Sequence, residues 1–111
     1  MNIQEEQVGA VTVLRPQGPL SQDDTAPFKQ HLHEALGKSF RRLVVDMSAV
    51  PFVDSLGLEV LVEATEDLAE SGHALKLAGT NELLREVLEL TELTSLFEHY
   101  EDVNAAARSF L

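Results

Sequence analysis

The chain has 111 residues and a mass of 12.2 kDa, the size of one domain, and 44% of its residues are hydrophobic, enough for one modest core. Its 8 basic and 19 acidic residues give a formal net charge of −11 and a pI of about 4.6, which argues against a nucleic-acid binder and against a polybasic membrane anchor. The absence of cysteine excludes disulfides, a thiol nucleophile and a thiolate metal site.

The amino-terminal part of the chain predicts a β-hairpin. Residues 2–7 favour a strand weakly, Gly9 favours a turn, and residues 10–15 (AVTVLR) favour a second strand because they are rich in β-branched side chains. The run Pro16-Gln17-Gly18-Pro19 is expected to end this strand and to form a loop.

A helix is predicted next, ending near Gly37. Asp23, Asp24 and Thr25 are typical helix-start residues, and a proline such as Pro27 is tolerated in the first turn. Apolar residues then recur at i, i+4, i+7 and i+8 on one face: Phe28, Leu32, Ala35 and Leu36.

A buried strand and a second helix are predicted in the middle of the chain. Residues 43–47 (LVVDM) begin with three apolar residues without alternation, which favours a central strand buried on both faces. The helix is expected over residues 55–71, with Gly72 as its terminator. Its predicted inner face consists of Leu58, Leu61, Val62, Thr65, Leu68 and Ala69.

The last part of the chain predicts two further strand–helix units. Residues 74–78 (ALKLA) alternate as a strand, and Gly79-Thr80-Asn81 forms a turn and cap before a helix with Leu83, Leu84, Val87 and Leu88 inward. Residues 96–101 form a short strand, and Asp102 caps a last helix through Val103, Ala106, Ala107 and Phe110. The order β-β-α-β-α-β-α-β-α implies an α/β domain, a mixed sheet of four to five strands flanked by about four helices.

The sequence predicts no targeting signal. No segment approaches the ~20 consecutive apolar residues that span a bilayer, and the start MNIQEEQVGAVTV has no basic residue before an apolar run. We therefore expect one cytoplasmic domain over residues 1–111, without membrane or nucleic-acid partners, and nothing in the sequence demands more than a monomer.

The chemistry is expected where the central strand leaves the core, in DMSAVPFVDSLGL (residues 46–58). Ligands and partners of α/β folds gather at the carboxyl ends of strands. Asp54 and Ser55 are both good N-cap residues, and Ser55 would present its hydroxyl at the positive end of a helix dipole. Gly57 would let another backbone approach closely, while Phe52 and Val53 are expected to pack down and fix the loop.

This arrangement suits a phosphorylation switch. A phosphate adds about −1.5 to −2 charges and three acceptor oxygens, and a helix N-terminus offers it unpaired N–H groups. The domain should tolerate the modification, whereas a partner docked over the loop would meet new bulk and a desolvation penalty. The alternative is that Asp54-Ser55 is an ordinary helix cap, as most such pairs are.

The string DMSAVPFVDSLGLEVL resembles the signature of the STAS domain, the family of anti-sigma factor antagonists. It follows the pattern D-[LFM]-S-x-V-x-[FYW]-[VILM]-D-S-x-G-[LIVM] at fixed spacing, and the element order covers the whole chain. The resemblance implies that Ser55 is phosphorylated and that Asp54 shapes the helix start. It also implies partner switching, in which the unphosphorylated form binds an anti-sigma factor that is a serine kinase and phosphorylation releases it.

The partner surface that follows from this reading is expected to include Asp54, Leu56, Gly57, Glu59, Ser21, Asp23 and Asp24. The placement of Ser21, Asp23 and Asp24 beside Ser55 is implied by the family fold alone. ATP would be bound by the kinase, because this chain has no Gly-rich phosphate loop. No cofactor is expected, and a serine phosphatase stays open as a further partner.

The sequence departs from the family pattern at three places. Leu56 stands where many members have Ser, Thr or Ala, and Gly18-Pro19-Leu20-Ser21 replaces a Gly-Glu-Leu-Asp or Gly-Arg-Leu-Asp run. An acidic side chain near the phosphorylation site is therefore missing unless Asp23 or Asp24 substitutes. A late Leu-Thr-Gly-Leu turn reads Leu90-Thr91-Glu92-Leu93.

Other features have plainer alternatives. Glu59, Glu63, Glu66 and Glu70 form an acidic stripe, either a solvated helix face or a docking strip for a basic partner. His31 and His33 do not share a helix face, so a metal site is not expected. A serine hydrolase is not expected, because this chain lacks the glycine two residues before Ser55 that a nucleophile elbow needs. We therefore expect no enzymatic activity. The remaining alternative is a non-switching STAS-like subunit of a transport or stress-sensing complex.

Overall fold

The computed structural model describes residues 1–39 and 42–111. Its strands are β1 (Asn2–Val8), β2 (Val11–Gln17), β3 (Leu43–Asp46), β4 (Leu75–Ala78) and β5 (Phe97–Tyr100). Its α-helices are α1 (Thr25–Lys38), α2 (Ser55–Ala69), α3 (Glu82–Leu90) and α4 (Val103–Arg108), with single 3₁₀ turns at Gln22–Asp24 and Thr94–Leu96. The predicted order and the mixed-sheet α/β fold class are confirmed.

The five strands pair in sequence order, β1-β2-β3-β4-β5. The β1–β2 hairpin is antiparallel, and the three following pairs are parallel. Strand β3 lies at the centre, and its Leu43, Val44 and Val45 are fully or almost fully buried, as the unbroken apolar run predicts. The carboxyl ends of β2, β3, β4 and β5 therefore share one edge of the sheet.

The two faces of the sheet are covered unequally. The larger core lies under α1, α2 and α3 and includes Phe28, Leu32, Leu61, Leu68, Leu84 and Leu88. On the other face, within the part of the chain that the structure describes, the short α4 packs over a smaller cluster of Val11, Val13, Val44, Ala78 and Ala106. Within the described residues, no helix has the length and apolarity to cross a membrane.

One polar side chain of the larger core joins three elements. The hydroxyl of Thr65 on α2 donates to the Leu96 carbonyl at 2.6 Å and accepts the Leu75 N–H at 3.0 Å. Both bonds are needed because Thr65 is 3% exposed, and a buried unpaired polar group is costly. The predicted inward position of Thr65 is thus confirmed.

Three local expectations are wrong. Pro16 and Gln17 continue β2, because Pro16 pairs only with β1 and lies beyond the β2–β3 pairs, where a missing donor is tolerated. Ala69 is exposed at the end of α2, and Leu83 is 55% exposed in the first turn of α3. Apolar periodicity marked these two residues as inward although no neighbouring element covers them.

Candidate functional site

The candidate site is the junction between β3 and α2. Asp54 has extended backbone angles, and its Oδ1 accepts the Gly57 N–H at 2.9 Å, so Asp54 is the N-cap. Ser55 is the first residue of α2 and is exposed. Among the described residues, its hydroxyl makes no hydrogen bond to any side chain or backbone group, so it is not committed to capping.

A second segment is fixed against this junction by backbone hydrogen bonds. The Leu20 N–H donates to the Phe52 carbonyl and the Asp54 N–H to the Leu20 carbonyl, each at 3.1 Å, which makes a parallel bridge between Leu20 and Val53. Val53 is half-buried, as expected, whereas Phe52 is 46% exposed and does not pack down.

Asp54 also joins the two segments through its second oxygen. The Gln22 N–H donates to Oδ2 at 3.0 Å, and Gln22 has φ +48°, a left-handed conformation that is rare for a residue other than glycine. The backbone N–H groups of Gly57, Gln22 and Leu56 lower the pKa of the Asp54 carboxyl, the Gly57 bond most of all. The carboxylate is therefore ionised at neutral pH and neutralises part of the positive helix end.

Residues 21–24 lie beside the junction, as the family resemblance implies. Ser21 is half-buried and Asp23 is exposed. The Asp24 carboxylate is 3.2 Å from the Met1 amino group, so its charge is already paired. Gln22 is the functional contact that sequence reasoning missed, and a residue 32 positions from Asp54 with no turn propensity gives no signal for it.

Gly57 belongs to the interior of the site. It is buried, and an added Cβ would overlap the Leu20 carbonyl oxygen and come within 2.8 Å of Val53 Cγ1. The expected close backbone approach is therefore confirmed. Gly57 thus packs against Leu20 and Val53 inside the junction. Its neighbour Leu56 is 51% exposed and faces solvent.

A shallow groove of about 380 Å³ runs from Ser55 along α2. Its apolar lining is Leu58, Val62 and Leu93, and its acidic lining is Glu59, Glu63 and Glu66. Glu63 is paired with Lys29 at 3.2 Å, whereas Glu59 and Glu66 are exposed and form no ion pair among the described residues. The groove therefore combines an apolar floor with unneutralised negative charge.

The first turn of α3 is tied to the same edge. Asn81 caps α3 by accepting the Leu84 N–H at 2.8 Å, and its amide donates to the Pro51 carbonyl at 3.0 Å. This second bond fixes the α3 start to the loop that leads to Ser55. Phe52, Leu56 and Leu83 thus add exposed apolar area near the carboxyl edge of the sheet.

Asp46, the other carboxylate of the segment, has a structural position. Its Oδ1 accepts the Ser48 N–H and its Oδ2 accepts Arg15 Nε, both at 3.0 Å. Asp46 thus ends β3 by accepting a loop N–H and is held by Arg15. In the described part of the chain, no three His, Asp or Glu side chains are grouped as metal ligands would be.

Comparison with known proteins places this geometry in a family. The family model described as STAS domain matches residues 2–106. A protein of Thermotoga maritima, provisionally named an anti-sigma factor antagonist, is 29% identical over 100 residues, covering 89% of this chain and 88% of the relative.

Solved structures agree with that match. The crystal structure of a Thermotoga maritima protein with the same provisional name has a TM-score of 0.87 and 26% identity, covering 96% of this chain and 92% of that one. The Bacillus cell fate determinant SpoIIAA in its phosphorylated form has a TM-score of 0.71 and 17% identity, covering 97% and 99%, which shows the shared fold.

Proposed function

The chain belongs to the STAS-domain family, and we propose that it is an anti-sigma factor antagonist whose affinity for its partner is set by phosphorylation of Ser55. The unphosphorylated form binds an anti-sigma factor that is also a serine kinase, in the cytoplasm. Phosphorylation by that kinase, which supplies the ATP, releases the chain. The chain itself acts by binding and catalyses no reaction.

The observation that carries this proposal is that Asp54, and not Ser55, caps α2. Because Asp54 caps α2, the hydroxyl of Ser55 is exposed and free of hydrogen bonds among the described residues. A hydroxyl needed as the cap would have to break that bond before it could accept phosphate. Here the modification leaves the helix start intact.

Release follows from what surrounds Ser55. Phe52 and Leu56 are about half exposed on either side of it and offer a partner apolar contacts. A hydrated group with about two negative charges cannot be buried between apolar surfaces without a large desolvation cost. A loss of about 2.7 kcal/mol in binding free energy would weaken the complex hundredfold.

The direct test is phosphorylation by a serine kinase encoded beside this chain. The kinase and ATP are added to the full chain, and the peptide containing Ser55 is expected to gain the mass of one phosphoryl group, with none gained by Ser55→Ala. If no co-encoded kinase modifies the wild-type chain, the switch is wrong and a non-switching STAS subunit is favoured.

Binding variants test the second half of the proposal. Ser55→Ala should bind the kinase as tightly as the unphosphorylated wild-type chain, while Ser55→Glu should weaken binding by up to about a hundredfold. Ser71→Glu, which adds the same charge at the other end of α2, should bind normally. Because Asp54 keeps the cap, the thermal midpoint of Ser55→Glu should stay within a few degrees of wild type. Equal binding by wild type and Ser55→Glu would overturn the release step.

A further inference from the structure

The opposite edge of the sheet carries an apolar cleft that the proposed function does not use. It lies between the β1–β2 turn and the end of α4 and has a volume of about 490 Å³, within the range of small-molecule sites. Its apolar lining comes from Val8, Ala10, Val11, Ala107, Phe110 and Leu111. The cleft continues the smaller core, over which the six-residue α4 packs.

Two cations line this apolar cleft. Arg42, just before β3, and Arg108, in the last turn of α4, are exposed and form no ion pair among the described residues. Among the other described cations, Arg85 on α3 also forms no ion pair, whereas Arg15, Lys29, Lys38 and Lys76 each contact a carboxylate. In a chain with a net charge of −11, two unpaired arginines beside apolar walls mark a local preference for an anion.

A neighbouring cavity points to the same preference. This cavity of about 560 Å³ shares Ala10 and Arg42 with the cleft and is otherwise polar, with Lys38 and Ser39 in its lining. The Ser39 hydroxyl is buried and has no hydrogen-bond partner within the described residues. Arg42 therefore lines both the apolar cleft and the polar cavity, in which the Ser39 hydroxyl has no hydrogen-bond partner within the described residues.

We propose that this cleft binds a fatty acid with a single acyl chain. The acyl chain lies against Val8, Ala107 and Phe110, and the carboxylate contacts Arg42 and Arg108. A free inorganic anion would leave the apolar walls uncovered, and an uncharged hydrocarbon would leave the two arginines without a partner. The cleft is at the amino end of β3 and Ser55 follows its carboxyl end, so this inference is independent of the switch.

The probe is decanoate below its micelle concentration, titrated into the full chain by isothermal calorimetry and by amide chemical-shift mapping. Binding is expected to shift signals at Ala10, Arg42 and Ala107 and to tighten by up to about fourfold for each methylene added to the chain. Decanol, which lacks the charge, should bind about 1.4- to 5-fold more weakly, and acetate, which lacks the chain, should bind far more weakly still. No binding of decanoate, or equal binding of decanol, would overturn the proposal.

Variants separate the site from a general surface effect. Arg42→Gln and Arg108→Gln should each weaken decanoate binding by about 1.4- to 5-fold, and Ala107→Trp should abolish binding by filling the cleft. Arg85→Gln removes an exposed cation elsewhere and should change nothing. If Arg85→Gln weakens binding equally, or if only anionic phosphatidylglycerol vesicles bind, the cleft is not a fatty-acid site. Ser55→Glu should leave decanoate binding unchanged.

Discussion

Gly57 shows how a single missing side chain shapes the junction. A Cβ at this position would overlap the carbonyl of Leu20, which is held in place by its bond from the Asp54 N–H. Gly57→Ala is therefore expected to destabilise the protein by about 1–3 kcal/mol, the usual cost of overpacking. Urea unfolding measures this change.

The matched control for that substitution is Gly37→Ala in α1. No atom lies within 4 Å of a Cβ built on Gly37, so alanine should stabilise the helix by about 0.5–1 kcal/mol through its higher helix propensity. Opposite signs at the two positions would confirm the close approach. Stabilisation at both would mean that the Leu20 segment gives way and does not fix the junction.

Asp54 gives the junction a dependence on pH. Its pKa is lowered in the folded chain, chiefly by the Gly57 N–H, so it contributes stability that is present above the ordinary aspartate pKa of about 3.9. That contribution is lost as pH falls through the lower, folded-state pKa. Asp54→Asn keeps a capping oxygen but loses the charge and the second acceptor for Gln22.

The expected outcome follows from that sign. The difference in free energy of unfolding between wild type and Asp54→Asn should be largest near neutral pH and should shrink as pH falls below about 4. Chemical denaturation at several pH values measures it, and carboxyl NMR titration identifies the group. A difference that is constant with pH would show that the charge of Asp54 does not act on the fold.

At the scale of the element, α2 and α3 end in the same way. In both, an N–H just beyond the helix returns to the carbonyl five residues earlier: His73 to Leu68 at 3.0 Å and Leu93 to Leu88 at 2.8 Å. This Schellman motif needs a left-handed residue before that N–H, which is Gly72 at φ +76° in one helix and Glu92 at φ +60° in the other.

Glu92 is therefore a strained position that glycine would relieve. A non-glycine residue in this conformation costs about 1–2 kcal/mol, partly offset because glycine makes the unfolded chain more flexible. Glu92→Gly should stabilise the protein by about 0.5–1 kcal/mol and raise the thermal midpoint by a few degrees. Gly72→Glu is the reverse test and should lower it; if both substitutions lower the midpoint, the side chain of Glu92 makes a contact that outweighs its backbone strain.

The sequence predicts the helices and strands well, but it predicts less well which elements pack against one another. The spacing of Phe28, Leu32 and Ala35 marked the buried face of α1, and unbroken apolar residues marked β3 as central, since both signals are local. Leu83 has the right spacing for α3 but no covering neighbour, a non-local fact that periodicity does not contain.

The site was predictable to the same degree. Residues 54 and 55 both fit a helix cap, and only the backbone geometry shows that Asp54 caps and leaves Ser55 free. The Gln22 contact crosses 32 residues and depends on a left-handed residue that is neither glycine nor asparagine, so local chemistry gives no sign of it.

At the scale of the whole molecule, charges of opposite sign that are unpaired within the described chain lie at opposite ends of the sheet. Glu59 and Glu66 line the groove that begins at Ser55 and form no ion pair among the described residues, while Arg42 and Arg108 line the cleft at the opposite edge. Each end of the sheet thus offers apolar surface with charge of one sign. If both proposals hold, the two ends select partners of opposite charge.

If the proposed kinase partner presents basic residues to the groove, association should be sensitive to salt. Surface fields raise association rates and are screened over about 8–10 Å at physiological salt. Glu59→Lys combined with Glu66→Lys should slow association several-fold and flatten its dependence on salt, measured by stopped flow. Glu34→Lys combined with Glu89→Lys gives the same change in net charge on exposed residues outside the groove. If both pairs slow association equally, net charge alone steers the encounter and the groove has no directing role; if neither does, the acidic face is only solvated.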